Sequence, residues 1–281
     1  MADLAEFRGR TALVTGGASG IGRALGAALA AAGARVVLAD LDGDGAAAAA
    51  AAAGGDARGR TVDVTDLDAV RAAVADAAGD DGLDYLFNNA GIALGGPTHE
   101  FTAAHWDRII DVNLRGVVNG VLAAYPAMVA AGRGHIVNTA SAAGLAPPPL
   151  VAPYATTKAA VVGLSLALRP EAALHGVRVS VLCPGMVETP ILDAGPPADL
   201  PATASAPVTA REYLRRMRQT AIPADRCAAA ALAAVARDQG IIVVPRRTRA
   251  LWWLQRLSPA ATTRIGRSMA RLVTRDLVRP A

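Results

Sequence analysis

From Thr11 to about Val244 short apolar runs alternate with longer stretches whose apolar residues recur at helical spacing. The runs predict strands at Thr11–Thr15, Arg35–Ala39, Gly59–Val62, Leu83–Asn88, His135–Thr139, Val177–Leu182 and Ile241–Val244. Between most of them lie segments long enough for a crossover helix: Gly20–Ala32, Asp66–Ala78, Arg115–Ala131 and Pro153–His175. Such alternation predicts an α/β fold: a doubly wound, mostly parallel seven-stranded sheet with helices on both faces. Runs such as Leu83–Phe87 and Val177–Leu182 are apolar throughout, as strands buried on both faces are. The Ala46–Ala53 run reads as a plain surface helix, and Pro170 should kink or restart the helix that contains it.

Two regions break the rhythm. Residues 188–222, Pro- and Ala-rich over their first part to about 210, read as a lid on a substrate site. Beyond Pro245 the pattern changes to two amphipathic stretches. Leu251, Trp252, Leu254 and Leu257 share one face of the first, and Ile265, Met269, Leu272 and Val273 line the second. The expected organisation is one catalytic domain over residues 1–245 and a helical extension over 246–281.

Charge follows the same division. The net charge is +4. Residues 246–281 hold nine arginines against one acid, Asp276, so the extension carries +8 and the body −4. The body is thus mildly acidic despite a basic chain. Much of the apolar content is alanine; no stretch of about 18 strongly apolar residues is expected to span a membrane. Residues 1–10 hold Asp3 and Glu6 and no apolar core, so a secretory signal is not expected. Cys183 and Cys227 have no redox or metal spacing and read as packed free thiols in a reducing, cytoplasmic setting. His99, His105, His135 and His175 show no ligand spacing, and no metal site is expected.

The first strand runs into Thr15-Gly16-Gly17-Ala18-Ser19-Gly20-Ile21-Gly22 at the start of a helix. Glycines there permit a tight turn and bring backbone amides to a diphosphate at the helix N-terminus, although a turn may use glycine for steric reasons alone. Asp40 ends the second strand, 24 residues after Gly16. A carboxylate there accepts from ribose hydroxyls and repels a 2′-phosphate. No basic residue stands at Ala18 or Leu41 to offset that repulsion, so NAD is favoured over NADP. Taken alone, Asp40 is also what an exposed turn would carry. Asp63-Val64 after the third strand frames an adenine or simply precedes a helix.

Of the 28 basic side chains only one is lysine, Lys158, four residues after Tyr154. Residues four apart share a helix face. Where arginine serves every generic need, a lone lysine points to a compact ammonium that can pass on a proton. A phenol with a pKa of about 10 is a poor base, but one cation at ~5 Å lowers it by about two pKa units at an effective dielectric near 20. Ser141 precedes Tyr154 by 13 residues and can hydrogen-bond a substrate oxygen. Singly, Tyr154 reads equally well as a packed aromatic, Ser141 as a cap and Asn113 as a helix-end residue.

Together with Asn88-Asn89-Ala90-Gly91, Asn113 and Pro184-Gly185-Met186-Val187-Glu188-Thr189, these motifs resemble those of the short-chain dehydrogenase/reductase family over roughly residues 8–245. The resemblance implies a Rossmann-type fold and a catalytic set of Asn113, Ser141, Tyr154 and Lys158. It implies that Tyr154 is the general acid/base, that Lys158 also holds the nicotinamide ribose, and that Asn113 holds a water linking Lys158 to solvent. It also implies a nucleotide site built from Gly16, Ser19, Gly20, Ile21, Gly22, Asp40, Asp63, Val64, Asn89, Ala90, Gly91, Pro184, Gly185, Val187 and Thr189. Ser141, Ala142, Leu145, Leu150, Met186 and Leu192, with Ile92 and Leu94, are expected to wall a substrate pocket on which no Arg or Lys converges. That favours a hydrophobic secondary alcohol or ketone. The rivals are an NADPH-dependent 3-oxoacyl-thioester reductase and a dinucleotide-binding regulator with little turnover.

A homodimer through the helices before and after the Ser141 strand is expected, with a homotetramer as the alternative. For the basic extension three roles remain open: packing on the body or a second subunit, peripheral contact with an anionic membrane, and nucleic-acid binding. The apolar stripe disfavours the last.

Overall fold

A computed structural model describes residues 4–195, 197, 199–205, 209–217 and 219–274. Strands β1 (Thr11–Thr15), β2 (Arg35–Asp40), β3 (Ala57–Thr61), β4 (Tyr85–Asn88), β5 (Gly134–Thr139), β6 (Val177–Pro184) and β9 (Ile241–Val244) form one parallel sheet in the order β3-β2-β1-β4-β5-β6-β9. Two-residue strands β7 (Val187–Glu188) and β8 (Ile222–Pro223) pair beside it. Helices α1 (Gly20–Ala31), α2 (Gly43–Ala53), α3 (Leu67–Ala78), α4 (Ala103–Ile110), α5 (Gly116–Ala131), α6 (Ala152–Ala173) and α8 (Ala224–Val235) cover its two faces. The apolar runs of β1 and β4 are buried along their whole length, because helices lie over both sides.

The strand order reverses between β1 and β4, which opens a crevice above their carboxyl ends. Strand β3 departs from the alternating-apolar expectation. It is a sheet edge with Arg58 and Arg60 both paired to Asp76 of α3, at 3.5 and 3.2 Å. The alanine run is less of a surface helix than expected. Ala46, Ala49 and Ala50 of α2 are buried, and at Gly59 any side chain would run into the Ala47 backbone. Small residues on both partners therefore set this close approach.

Helix α6 continues through Pro170 and does not restart there, a restart being one of the two outcomes expected. The carbonyl that loses its bond there belongs to exposed Leu166, where water can serve it. Three helices were not apparent in the pattern: α4, α7 (Ala210–Arg216) and α8. A π-type turn at Asp111–Arg115 joins α4 to α5, so Ala103–Ala131 is one helix. By length and composition it meets the requirement for a membrane span, against the sequence expectation. In the fold it is a body helix: Asn119 donates to the Val64 and Thr65 carbonyls at 2.9 and 3.2 Å.

Beyond β9, α9 (Thr248–Leu257) and α10 (Pro259–Thr274) fold back onto the body. Trp252 packs with Val161 and Val243, and fully buried Val273 packs against Tyr213 of α7. The expected single stripe on α9 is split. Trp252 turns inward, whereas Leu257 is largely exposed. Residues 275–281, including Asp276, lie outside the described residues.

Buried polar bonds tie the central strands together. Asn88 donates to Asn138 (2.9 Å), Asn138 donates to Ser165 (3.0 Å), and Ser165 donates to the Val161 carbonyl (2.7 Å). His135 is fully buried with Nε2 at 2.9 Å from Ser180 Oγ, and burial lowers its pKa to about 3. An imidazole held neutral in the fold but protonated in the unfolded chain makes stability fall as pH drops from about 6.5 towards 3. Relative to pH 7, His135 should cost roughly 2 kcal/mol at pH 5. Urea denaturation at the two pH values checks this: His135→Phe is expected to be less stable at pH 7 but to lose less on acidification.

Candidate active site

A cavity of about 870 Å³ opens over the carboxyl ends of β1, β4, β5 and β6. At one end the β1–α1 turn is shaped by glycines. Gly16 has φ +67°, and a Cβ there would stand 2.9 Å from Ala90 Cα. A Cβ on Gly20 would stand 3.0 Å from Thr189 Cγ2, so this turn and the loop after β7 close towards each other. Gly16, Ser19, Gly20 and Ile21 border the cavity. Gly22 does not: it is a packing residue, where any side chain would strike the Gly16 carbonyl and Asn89. Asn89 holds the turn from behind, donating from Nδ2 to the Thr15 carbonyl at 3.0 Å.

Asp40 borders the cavity, and its carboxylate accepts from the Ala18 amide (2.9 Å) and the Asp42 amide (3.1 Å). Asp63 and Val64 lie alongside, with Asp63 accepting from the Thr65 amide at 2.9 Å. Ala90, Gly91, Pro184, Gly185, Val187 and Thr189 also border the space.

The chemistry-bearing residues meet at the far side of this groove. Ser141 follows β5 and accepts from the Ala143 amide at 3.1 Å. Gly144 lets this turn lie on the α6 backbone, since a Cβ would stand 2.5 Å from the Lys158 carbonyl. Burial raises the Tyr154 pKa, and the Ser141 hydroxyl beside it acts in the opposite sense. Lys158, on the same helix and only 3 % exposed, places Nζ 5.8 Å from the Tyr154 ring centre and donates to the Thr139 carbonyl at 3.0 Å. Burial lowers its pKa to about 8, while Cys183 nearby acts in the opposite sense. Within the protein's own groups, then, enclosure of the phenol outweighs the lowering expected from Lys158.

Asn113 is fully buried behind this pair and does not border the cavity. It accepts from the Ile92 amide (2.8 Å) and donates to the Ile92 carbonyl (3.0 Å) and to Thr157 Oγ1 (3.2 Å). The π-type turn carries it, and its bonds clamp the segment after β4 to α6.

The cavity beyond Ser141 and Tyr154 is walled as expected by Ile92, Leu94, Ala142, Met186 and Leu192. Leu145 and Leu150 do not reach it. Leu145 packs against the Val117 and Val161 cluster, and Leu150 joins Tyr213 and Met269 in a separate cluster. The sequence reading missed Arg108, Tyr213, Arg247, Thr248, Leu251 and Met269, all of which border the cavity. Two arginines therefore approach a space expected to hold none. Arg108 Nε lies 3.7 Å from Asp199, and Arg247 donates to the Thr220 carbonyl at 2.7 Å. Gly144 was the one local signal available; the walls from α9 and α10 come from residues remote in sequence.

The family model for short chain dehydrogenases matches residues 10–198. The chain belongs to the short-chain dehydrogenase family. Such a chain is an oxidoreductase working with a nicotinamide cofactor, and several of its relatives illustrate the range. It is 40 % identical over 192 residues to 2,5-dichloro-2,5-cyclohexadiene-1,4-diol dehydrogenase of Sphingobium indicum, covering 67 % of this chain and 77 % of that one. A short-chain dehydrogenase/reductase of Burkholderia phymatum, solved in complex with NAD, is 33 % identical with a TM-score of 0.83 over 91 % of this chain and 96 % of that one. One from Sphingobium yanoikuyae, solved with NADPH, is 29 % identical with a TM-score of 0.73 over 91 % and 95 %.

The residues present fit a dinucleotide. Gly91 leaves open backbone on the cavity next to Lys158, where a Cβ would stand 3.3 Å from Lys158 Nζ and 3.1 Å from Asn113 Oδ1. Gly91→Ala should therefore weaken NAD binding about tenfold or more while leaving thermal stability within about 1 kcal/mol. Calorimetric titration with NAD checks it, and unchanged affinity would mean that this space is not used.

Proposed function

We propose that this protein moves hydride between NAD and a hydrophobic secondary alcohol or its ketone, with Tyr154 as general acid/base. The observation that carries the reading is the only lysine of the chain, with Nζ 5.8 Å from the Tyr154 ring centre, at the end of a nucleotide-sized groove that Ser141 and Tyr154 also border.

Bound there, the nicotinamide supplies or accepts the hydride. The protein's own residues do the remainder. With its acceptor side engaged by Ala143, Ser141 is left to donate its proton to the reacting oxygen. Tyr154 takes or returns the hydroxyl proton. Lys158, anchored on the Thr139 carbonyl, orients towards the nicotinamide ribose and keeps positive charge beside the phenol. Because burial brings the lysine to about 8, its charge is complete only below that pH, so NAD affinity should decline as pH rises through it. Asn113 fixes the Ile92 backbone beside Lys158 and is the residue through which a water would connect the lysine to solvent.

Preference for NAD rests on Asp40 and Asp63, which border the nucleotide end while the Ala18 and Leu41 positions carry no cation. A 2′-phosphate would meet Asp40 with nothing to neutralise it. The apolar walls, now including Leu251 and Met269, suit a hydrophobic substrate. Arg108 and Arg247 give the 3-oxoacyl-thioester reading its one foothold, but both already face protein partners. Exposed Leu122 on α5 and Leu166 on α6 fit a homodimer face through these two helices, and a homotetramer would extend it. Free, buried Cys183 and Cys227 fit a reducing, cytoplasmic setting.

The test is NADH absorbance during incubation with secondary, medium-chain and steroid alcohols. Turnover is expected with NAD above NADP, and Asp40→Ala should narrow that preference by about tenfold or more. Tight NAD binding without turnover on any alcohol would favour the regulator, and preference for NADPH with acyl thioesters would favour the reductase.

A further inference from the structure

The C-terminal hairpin has two distinct sides. Inward, Leu251 and Met269 border the catalytic cavity, and Arg216 of α7 donates to the Val273 carbonyl. Outward, it presents Trp253, Leu257, Ile265 and Leu272, all exposed. On α9, Trp253 and Leu257 are four residues apart; on α10, Ile265 and Leu272 are seven apart, so each pair shares a face. A shallow apolar groove of about 410 Å³, lined by Met217, Ile265, Met269 and Leu272, runs along α10. Met269 borders both this groove and the catalytic cavity.

The arginines of the hairpin differ from most of those of the body. Across the body most described arginines, such as Arg35, Arg133, Arg169 and Arg211, form salt bridges with carboxylates, Arg8, Arg23, Arg226 and Arg237 being the exceptions. Among the described residues, none of Arg246, Arg247, Arg249, Arg256, Arg264, Arg267 and Arg271 does so. Arg256 lies over the Trp252 ring, 6.0 Å from its centre. By sequence residues 246–281 carry +8, and the seven arginines of the described hairpin lie next to exposed Trp and Leu side chains without a carboxylate partner among the described residues.

We propose that the outer face of the α9–α10 hairpin seats on an anionic lipid surface. Trp253, Leu257, Ile265 and Leu272 enter the interface between headgroups and acyl chains, while Arg264, Arg267 and Arg271 meet lipid phosphates. Charge selects this occupant. A symmetric pairing of two hairpins would bring two +8 segments together, whereas an anionic bilayer offers dispersed negative charge with apolar depth beneath it. Nucleic acid would satisfy the arginines but leave the apolar side chains in water. Seating of this kind sets the catalytic cavity beside the bilayer, separated from the surface groove by Met269.

The full-length protein is sedimented with vesicles of phosphatidylcholine alone and of phosphatidylcholine with about 30 % phosphatidylglycerol, at low salt and at about 0.5 M salt. The bound fraction should be about tenfold higher on the anionic vesicles and fall sharply in high salt. Trp253→Ser/Leu257→Ser should lose most of that binding, as should Arg264→Gln/Arg267→Gln. Circular dichroism and NAD titration show whether each variant remains folded, and a third pair, Ile265→Ser/Leu272→Ser, replaces any that does not. Equal recovery on both vesicle types, or full binding by the folded variants, overturns the proposal. So does loss of dimerisation in the Trp253→Ser/Leu257→Ser protein, which would make the face a self-interface, or duplex DNA binding that depends on the arginines alone.

Discussion

A buried ammonium beside a half-buried phenol is the constraint on which the rest of this structure depends. Removing Lys158 from water lowers its pKa to about 8, and enclosing Tyr154 raises that of the phenol. Both shifts oppose the charged forms that proton transfer requires, so the fold must offset them locally. Lys158 Nζ donates to the Thr139 carbonyl, and the Ser141 hydroxyl acts against the rise at the phenol. Asn113 adds rigidity by bonding Ile92 on both sides and Thr157 on α6. Each of these groups sits at the carboxyl end of a parallel strand or on the helix that follows, which is where the sheet delivers them.

Much of this was legible in the sequence because its signals are local. Seven expected runs became the seven strands of the sheet, with β3 starting two residues and ending one residue earlier than expected, as its edge position lets it carry the exposed Arg58 and Arg60. The lone lysine four residues after a tyrosine marked a helix that borders the cavity, and Ser141 borders the same space. What was not legible depends on distance or on composition. Alanine-rich α8 buries Cys227, Ala231, Leu232 and Val235, yet alanine on its outer face blurs the periodicity that would have shown it. Leu145 and Leu150 lie near Ser141 in sequence but point into packed clusters, whereas Leu251 and Met269 reach the cavity from the chain's last two helices.

The same comparison changes the picture of the extension. A boundary at residue 245, drawn from charge and periodicity, separates segments that pack closely in the fold. Val273 is fully buried against Tyr213, and the two clasp α7 over the cavity. On that side the cavity wall includes Tyr213 of α7 together with Leu251 of α9 and Met269 of α10.

The central claim is that a lysine, as distinct from any cation, is required next to Tyr154. It is tested most directly by the pH dependence of kcat/KM for alcohol oxidation in the native protein and in Lys158→Arg. Enclosure by the protein alone raises the phenol above its usual value of about 10, so it is with the cationic oxidised nicotinamide bound as a second positive charge that the native profile should rise with a midpoint below that value. Lys158→Arg, too broad for a space bounded by Gly91 and Asn113, should lose activity by about a thousandfold, a barrier increase of about 4 kcal/mol. An arginine variant with native rates and an unshifted profile would contradict the account.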